Sequence, residues 1–94
     1  MVAKIDVRKL SAGSYAVRVI EGKSESTHRV TLKDRDYAHL TNGTVTAEEL
    51  IRRSFEFLLE RESKESILES FDITVISRYF PQYEREIKER IEST

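Results

Sequence analysis

Three stretches in the first third of this chain alternate apolar and polar residues with period two, and the alternation stops at Asp34. In Ala3-Lys4-Ile5-Asp6-Val7-Arg8 the apolar and charged residues swap sides at each step. Tyr15-Ala16-Val17-Arg18-Val19-Ile20 is rich in β-branched and aromatic residues, and residues 27–33 set His28, Val30 and Leu32 against Arg29, Thr31 and Lys33. Side chains on an extended chain point alternately to opposite faces, so each stretch reads as a strand with one face to a core and one to water. Ser11-Ala12-Gly13-Ser14 is turn chemistry, and Glu21-Gly22-Lys23-Ser24-Glu25-Ser26 reads as a looser connection. Residues 1–33 are therefore expected to form a three-stranded antiparallel meander.

After Asp34 the period changes from two to that of a helix. Residues 34–40 form one or two helical turns with Asp34 as N-cap and Tyr37 and Leu40 turned inward, and Asn42-Gly43 ends them. Thr46-Ala47-Glu48-Glu49 has capping-box spacing and opens a helix to about Glu62. On it Leu50, Ile51, Phe55, Phe57, Leu58 and Leu59 sweep an arc of roughly 200°, wide enough to be covered on two sides. Its other side is expected to be stitched by Glu48–Arg52 and Glu49–Arg53 pairs. Two short helices follow, residues 67–71 and, capped by Asp72, residues 73–79. A last helix opens at Pro81 and runs to about Glu92, with Glu84–Lys88 and Glu86–Arg90 pairs. The expected fold is α+β, a single layer of sheet (βββ) covered on one face by three to four helices, in one domain spanning residues 1–94 with its helical half at 34–94.

The pair of short helices around Asp72 has the outline of a helix-turn-helix. Its second helix would offer base edges only Arg78, with Thr74 and Ser77, and Glu60, Glu62, Glu65, Glu69 and Asp72 would face the phosphates. The stretch reads instead as core. A different signal for an anionic partner lies on the sheet, where strand alternation places Lys4, Arg8, Arg18, Arg29 and Lys33 together on the outward face, with Asp6 the only acid expected there. The charge balance agrees in sign: residues 1–45 carry eight Lys/Arg and five Asp/Glu, and residues 46–94 eight and twelve, for a net charge of −1.

Catalytic chemistry is not evident. There is no cysteine, so no thiol nucleophile, disulfide or thiolate metal site, and no GxSxG, HExxH or phosphate-cradling glycine loop. His28 falls on the inward face of its strand, where a satisfied core histidine is the ordinary reading. Asp34, Asp36 and His39 are read as capping and surface residues rather than as metal ligands. No cofactor, metal or small-molecule substrate is implied. The first residues lack a signal-peptide apolar run, and nowhere is there a stretch long enough to span a bilayer, so a soluble cytoplasmic protein without membrane contact is expected.

The last helix carries only a narrow apolar stripe, Tyr83, Ile87 and Ile91. With Tyr79 and Phe80 it is the candidate surface for self-association. Residues 55–84, FEFLLERESKESILESFDITVISRYFPQYE, resemble a small family of short, uncharacterised prokaryotic proteins, and the resemblance implies a prokaryotic source and no particular activity. The strand meander followed by an amphipathic helix is also similar, more faintly, to small antitoxin-type regulators. The sequence thus points to a non-enzymatic interaction or regulatory protein acting through protein–protein contact, as a homodimer, with a nucleic-acid-binding regulator using the basic sheet face as the alternative.

Overall fold

The computed structural model describes residues 3–92. Strands β1 (Lys4–Ser11), β2 (Ser14–Glu21) and β3 (Ser24–Thr31) form the antiparallel meander that the alternation requires. Both hairpins close on two-residue turns, Ala12-Gly13 and Gly22-Lys23, so the connection after Glu21 is tighter than its polarity suggests. Gly13 has φ of 75°, and a Cβ there would stand 3.1 Å from the carbonyl oxygen of Leu32, whose amide donates to the Gly13 carbonyl at 2.8 Å. A side chain at this turn would meet both a strained backbone and a neighbouring strand.

The sheet has a fourth strand. Residues 67–71, expected to be helical, are not: the chain leads into β4 (Ser70–Asp72), which lies parallel to β3 with Val30 opposite Phe71. The order β1-β2-β3-β4 makes the sheet mixed rather than purely antiparallel, and a 3-10 turn at Lys64–Ser66 is the element that precedes β4. The reason lies in backbone satisfaction. A five-residue helix would leave most of its amides and carbonyls without partners, whereas the open edge of β3 supplies them. The Arg29 amide donates to the Glu69 carbonyl at 2.8 Å and the Ile73 amide to the Thr31 carbonyl at 2.9 Å. His28 adds a side-chain tie. Its Nδ1 lies 2.8 Å from the Leu68 carbonyl and must donate, which leaves Nε2 to accept from the Ser26 hydroxyl at 2.8 Å. His28 is buried and doubly bonded, the core histidine its strand position suggests.

Helix α1 (Asp34–Thr41) starts at its expected cap, one residue early. Asp34 is the first helical residue, and Lys33 takes the cap position without a side-chain bond. It ends as expected at Asn42 and Gly43, both at positive φ. Helix α2 (Ala47–Leu59) begins where Thr46 Oγ1 accepts from the Glu49 amide at 3.1 Å, and stops at Leu59 rather than Glu62. The Glu49 carboxylate does not complete a reciprocal box, being held by Arg52 and Arg53, while Arg52 also reaches Glu56 at 2.8 Å. Glu49–Arg53 therefore forms, and Arg52 turns to Glu49 and Glu56 in place of Glu48.

Helix α2 is the centre of the molecule and is covered on two sides. Towards the sheet, the Phe55 ring lies 5.4 Å from His28 and 6.0 Å from Phe71. Away from it, Phe57 meets Tyr83 at 5.3 Å and Phe80 at 5.9 Å, both edge to face, with the Arg61 guanidinium 3.7 Å above its ring. Helices α3 (Val75–Tyr79) and α4 (Tyr83–Glu92) close that second side. Buried Ser54 donates to the Leu50 carbonyl at 2.8 Å, so Tyr83 donates to Ser54 Oγ at 2.6 Å, and burial pushes the Tyr83 hydroxyl well above its ordinary pKa.

Candidate functional site

Of the five residues expected at a self-association surface, three are core. Tyr83, Ile87 and Ile91 are 1%, 0% and 7% exposed and pack against α2 within the same chain. A narrow stripe suffices because the flanks of α4 are tied to other elements. Glu84 meets His39 of α1 at 2.9 Å, Glu86 meets Arg61 at 2.7 Å, Arg90 reaches Glu60 at 2.5 Å, and Arg53 donates to the Arg90 carbonyl at 2.7 Å. These bonds take the place of the expected Glu84–Lys88 pair, while Glu86, held by Arg61, still acts on the charge of Arg90. Burial of the stripe removes it from any partner, and with it the self-association surface as first drawn.

Tyr79 and Phe80 have a different fate. Tyr79 is 66% exposed and Phe80 half-buried, and both line an apolar groove of about 160 Å³ between α2, α3 and the segment leading into β4. Buried Leu58, Ile67 and Ile76 lie deepest in it, half-buried Phe71 and Val75 lie between, and exposed Leu68 and Tyr79 stand at the rim. Glu62 also lines the groove. It has no ion pair or side-chain hydrogen bond among the described residues, and burial pushes its carboxyl above the usual pKa. An apolar trough with one unpaired carboxylate suits an apolar surface that carries a cation.

The groove exists because residues 67–80 form strand, turn and helix. Asp72 makes that turn: Oδ1 accepts from Thr31 Oγ1 at 2.6 Å, and Oδ2 accepts from the Thr74 amide at 3.1 Å and its hydroxyl at 2.6 Å. Asp72 is therefore not the helix cap expected of it: α3 has Thr74 at its cap position without a side-chain bond, and Asp72 holds the turn between β4 and α3. Burial acts against the Asp72 charge, but these donors outweigh it and hold the carboxyl below its usual pKa. A carboxylate depressed in the folded state contributes stability that is present above its unfolded pKa and lost as pH falls through the folded value. Asp72→Ala is accordingly expected to cost about 1–2 kcal/mol at neutral pH. In urea titrations at descending pH the gap between variant and parent should close below the ordinary aspartate range, near pH ~4.

The five expected cations of the sheet, Lys4, Arg8, Arg18, Arg29 and Lys33, are all exposed, and strand register puts the first four on the outward face. Asp6 is not alone among them. Glu25 shares the face and pairs with Arg18 at 2.9 Å, Asp6 lies opposite Arg18, and Asp72 lies beside Thr31 and close enough to Lys33 to feel its charge. Three carboxylates among five cations leave a weaker field than the sequence suggests.

Of the groove residues the sequence marks Tyr79 and Phe80 as contact candidates, Leu58 only as part of the α2 arc and Glu62 only as one acid among several, and it gives Leu68 and Val75 no role at a surface. The available signal was the apolar excess in residues 67–80, where Ile67, Leu68, Phe71, Ile73, Val75, Ile76, Tyr79 and Phe80 are too many for so short a segment to bury on one side. Among the described residues, no group of three or more His, Cys, Asp or Glu is placed to hold a metal, and no helix is long and apolar enough to cross a membrane. No family model, curated protein or solved structure matches the chain.

Proposed function

We propose that this chain is a non-enzymatic interaction protein of the prokaryotic cytoplasm that acts as a homodimer and takes an amphipathic segment of another protein into the groove bounded by Leu68 and Tyr79. The observation that carries the reading is a large aromatic, Tyr79, held 66% exposed at the mouth of an apolar trough beside the unpaired Glu62. Exposed aromatics next to a preformed hollow are the usual anchors of protein interfaces. A helical partner would bring an apolar face to the trough and a lysine or arginine to Glu62. The absence of cysteine fits a reducing compartment.

Isothermal titration with a designed leucine/lysine amphipathic helix tests this directly. The parent protein is expected to bind it, and Tyr79→Glu to weaken binding roughly tenfold or more. Because Tyr79 is exposed, that variant should keep the parent's stability within about 0.5 kcal/mol. A leucine/glutamate counterpart of the helix should bind poorly, since its acids meet Glu62. Equal binding of the two helices, or binding indifferent to Tyr79→Glu, would overturn the reading.

The nucleic-acid alternative is favoured by one observation, the exposure of Lys4, Arg8, Arg18, Arg29 and Lys33. It predicts oligonucleotide binding that weakens steeply with salt and vanishes in Arg18→Glu/Arg29→Glu.

A further inference from the structure

The open long edge of the sheet is β1, and its bonding phase is fixed by contacts further in. The Leu32 amide donates to the Gly13 carbonyl, so odd-numbered residues of β2 turn their backbone groups towards β3 and even-numbered ones towards β1. In the β1–β2 register Lys4, Asp6 and Arg8 face Ile20, Arg18 and Ala16. The amides and carbonyls of Ile5, Val7 and Lys9 are thereby directed out of the sheet, and no strand among the described residues covers them. The side chains of Ile5 and Val7 share the inward face with Val17 and Val19, yet both remain half-exposed while the two β2 valines are fully buried. Backbone groups without a strand partner and apolar side chains half covered point to the same missing neighbour.

We propose that a second copy of this chain pairs with β1 antiparallel about a two-fold axis at Val7, joining two four-stranded sheets into one of eight. Two-fold pairing that keeps each face on its own side permits only registers in which residue numbers across the junction sum to an even number. The outward charges Lys4, Asp6 and Arg8 select among them. A sum of twelve sets Asp6 against Asp6 of the second copy and Lys4 against its Arg8, and a sum of sixteen sets Arg8 against its Arg8. A sum of fourteen sets Asp6 against Arg8 of the second copy, twice by symmetry, with Val7 against Val7 on the inward face. A sum of ten sets Lys4 against Asp6, over a shorter overlap. The bulge between Lys9 and Ser11 ends regular pairing just beyond the fourteen register. This inference supplies the contact for the homodimer of the proposed function and is independent of the groove.

Sedimentation equilibrium at micromolar concentration tests it. The parent is expected at the mass of two 11.0 kDa chains. Arg8→Asp replaces both cross-strand attractions by repulsions and should weaken the dimer roughly tenfold or more. Its own neighbour across β2 is Ala16, so the fold is left intact, as far-UV circular dichroism would show. The double exchange Asp6→Arg/Arg8→Asp restores opposite charges across the junction and should restore the dimer, a rescue no structural role of Arg8 would give. A monomeric parent, or Arg8→Asp as dimeric as the parent, overturns the proposal. So does dissociation by Tyr79→Glu alone, which would place the second copy in the groove. Failure of the edge leaves amphipathic-helix binding to be read separately, and failure of the groove leaves the mass unchanged.

Discussion

Phe57→Ala is expected to remove about 3–5 kcal/mol of stability, measured as a lowered urea midpoint by far-UV circular dichroism. The ring is fully buried and is the point at which α2, α3 and α4 meet, through Tyr83 at 5.3 Å, Phe80 at 5.9 Å and Arg61 at 3.7 Å over its face. Truncation removes the transfer free energy of the ring and leaves a cavity that three separate elements cannot collapse into at once. Chains of 94 residues hold roughly 5–14 kcal/mol in total, so the loss is a large share of what the fold has. Phe57→Leu keeps most of the volume but loses two edge-to-face pairs and should cost about 1–3 kcal/mol. Phe80 also lines the groove, so Phe57→Ala should weaken amphipathic-helix binding even where the protein remains folded. A cost near zero would mean that α4 does not lie on α2.

Ile87→Glu is expected to unfold the protein rather than to separate a dimer. Ile87 is 0% exposed on the face of α4 turned to α2. A carboxylate there would be taken out of water among apolar side chains, and burying a charge costs several kcal/mol beyond the loss of the apolar side chain. The variant should lack a cooperative thermal transition at neutral pH, while Tyr79→Glu melts like the parent. Were Ile87→Glu instead a well-folded monomer, the stripe Tyr83-Ile87-Ile91 would be an interface after all, and the placement of α4 would fall with it.

The contrast between these two glutamates shows what the sequence carried. Period-two alternation fixed the strands of the meander because one face of each had to be buried, and the α2 arc announced a helix covered on both sides. The identity of the cover was not legible. The α4 stripe looks the same whether its partner is α2 or another chain, and only Glu84, Glu86 and Arg90 reaching His39, Arg61 and Glu60 settle it, through partners at least 25 residues away in sequence. β4 was misread for a related reason. Residues 67–71 carry no alternation, and the strand they lead into depends on the free edge of β3 and on His28 holding the Leu68 carbonyl, both long-range facts. The groove arises from that strand, so its lining by Leu68 and Glu62 was not legible in the sequence. Four of the five cations expected on the sheet face stand on its outward side, and the acids among them were only partly legible, since Glu25 meets Arg18 across the tight second hairpin.

The measurement that bears most directly on this account is an NMR titration of isotope-labelled protein, first with the leucine/lysine amphipathic helix and then, separately, with a single-stranded oligonucleotide at low salt. The account predicts that the helix shifts the amides of Glu62, Leu68, Val75 and Tyr79 and leaves β1 to β3 in place, and that the oligonucleotide shifts neither set. Shifts confined to Lys4, Arg8, Arg18 and Arg29 on addition of the oligonucleotide, with the groove unmoved by the helix, would contradict it and make the basic face the working surface.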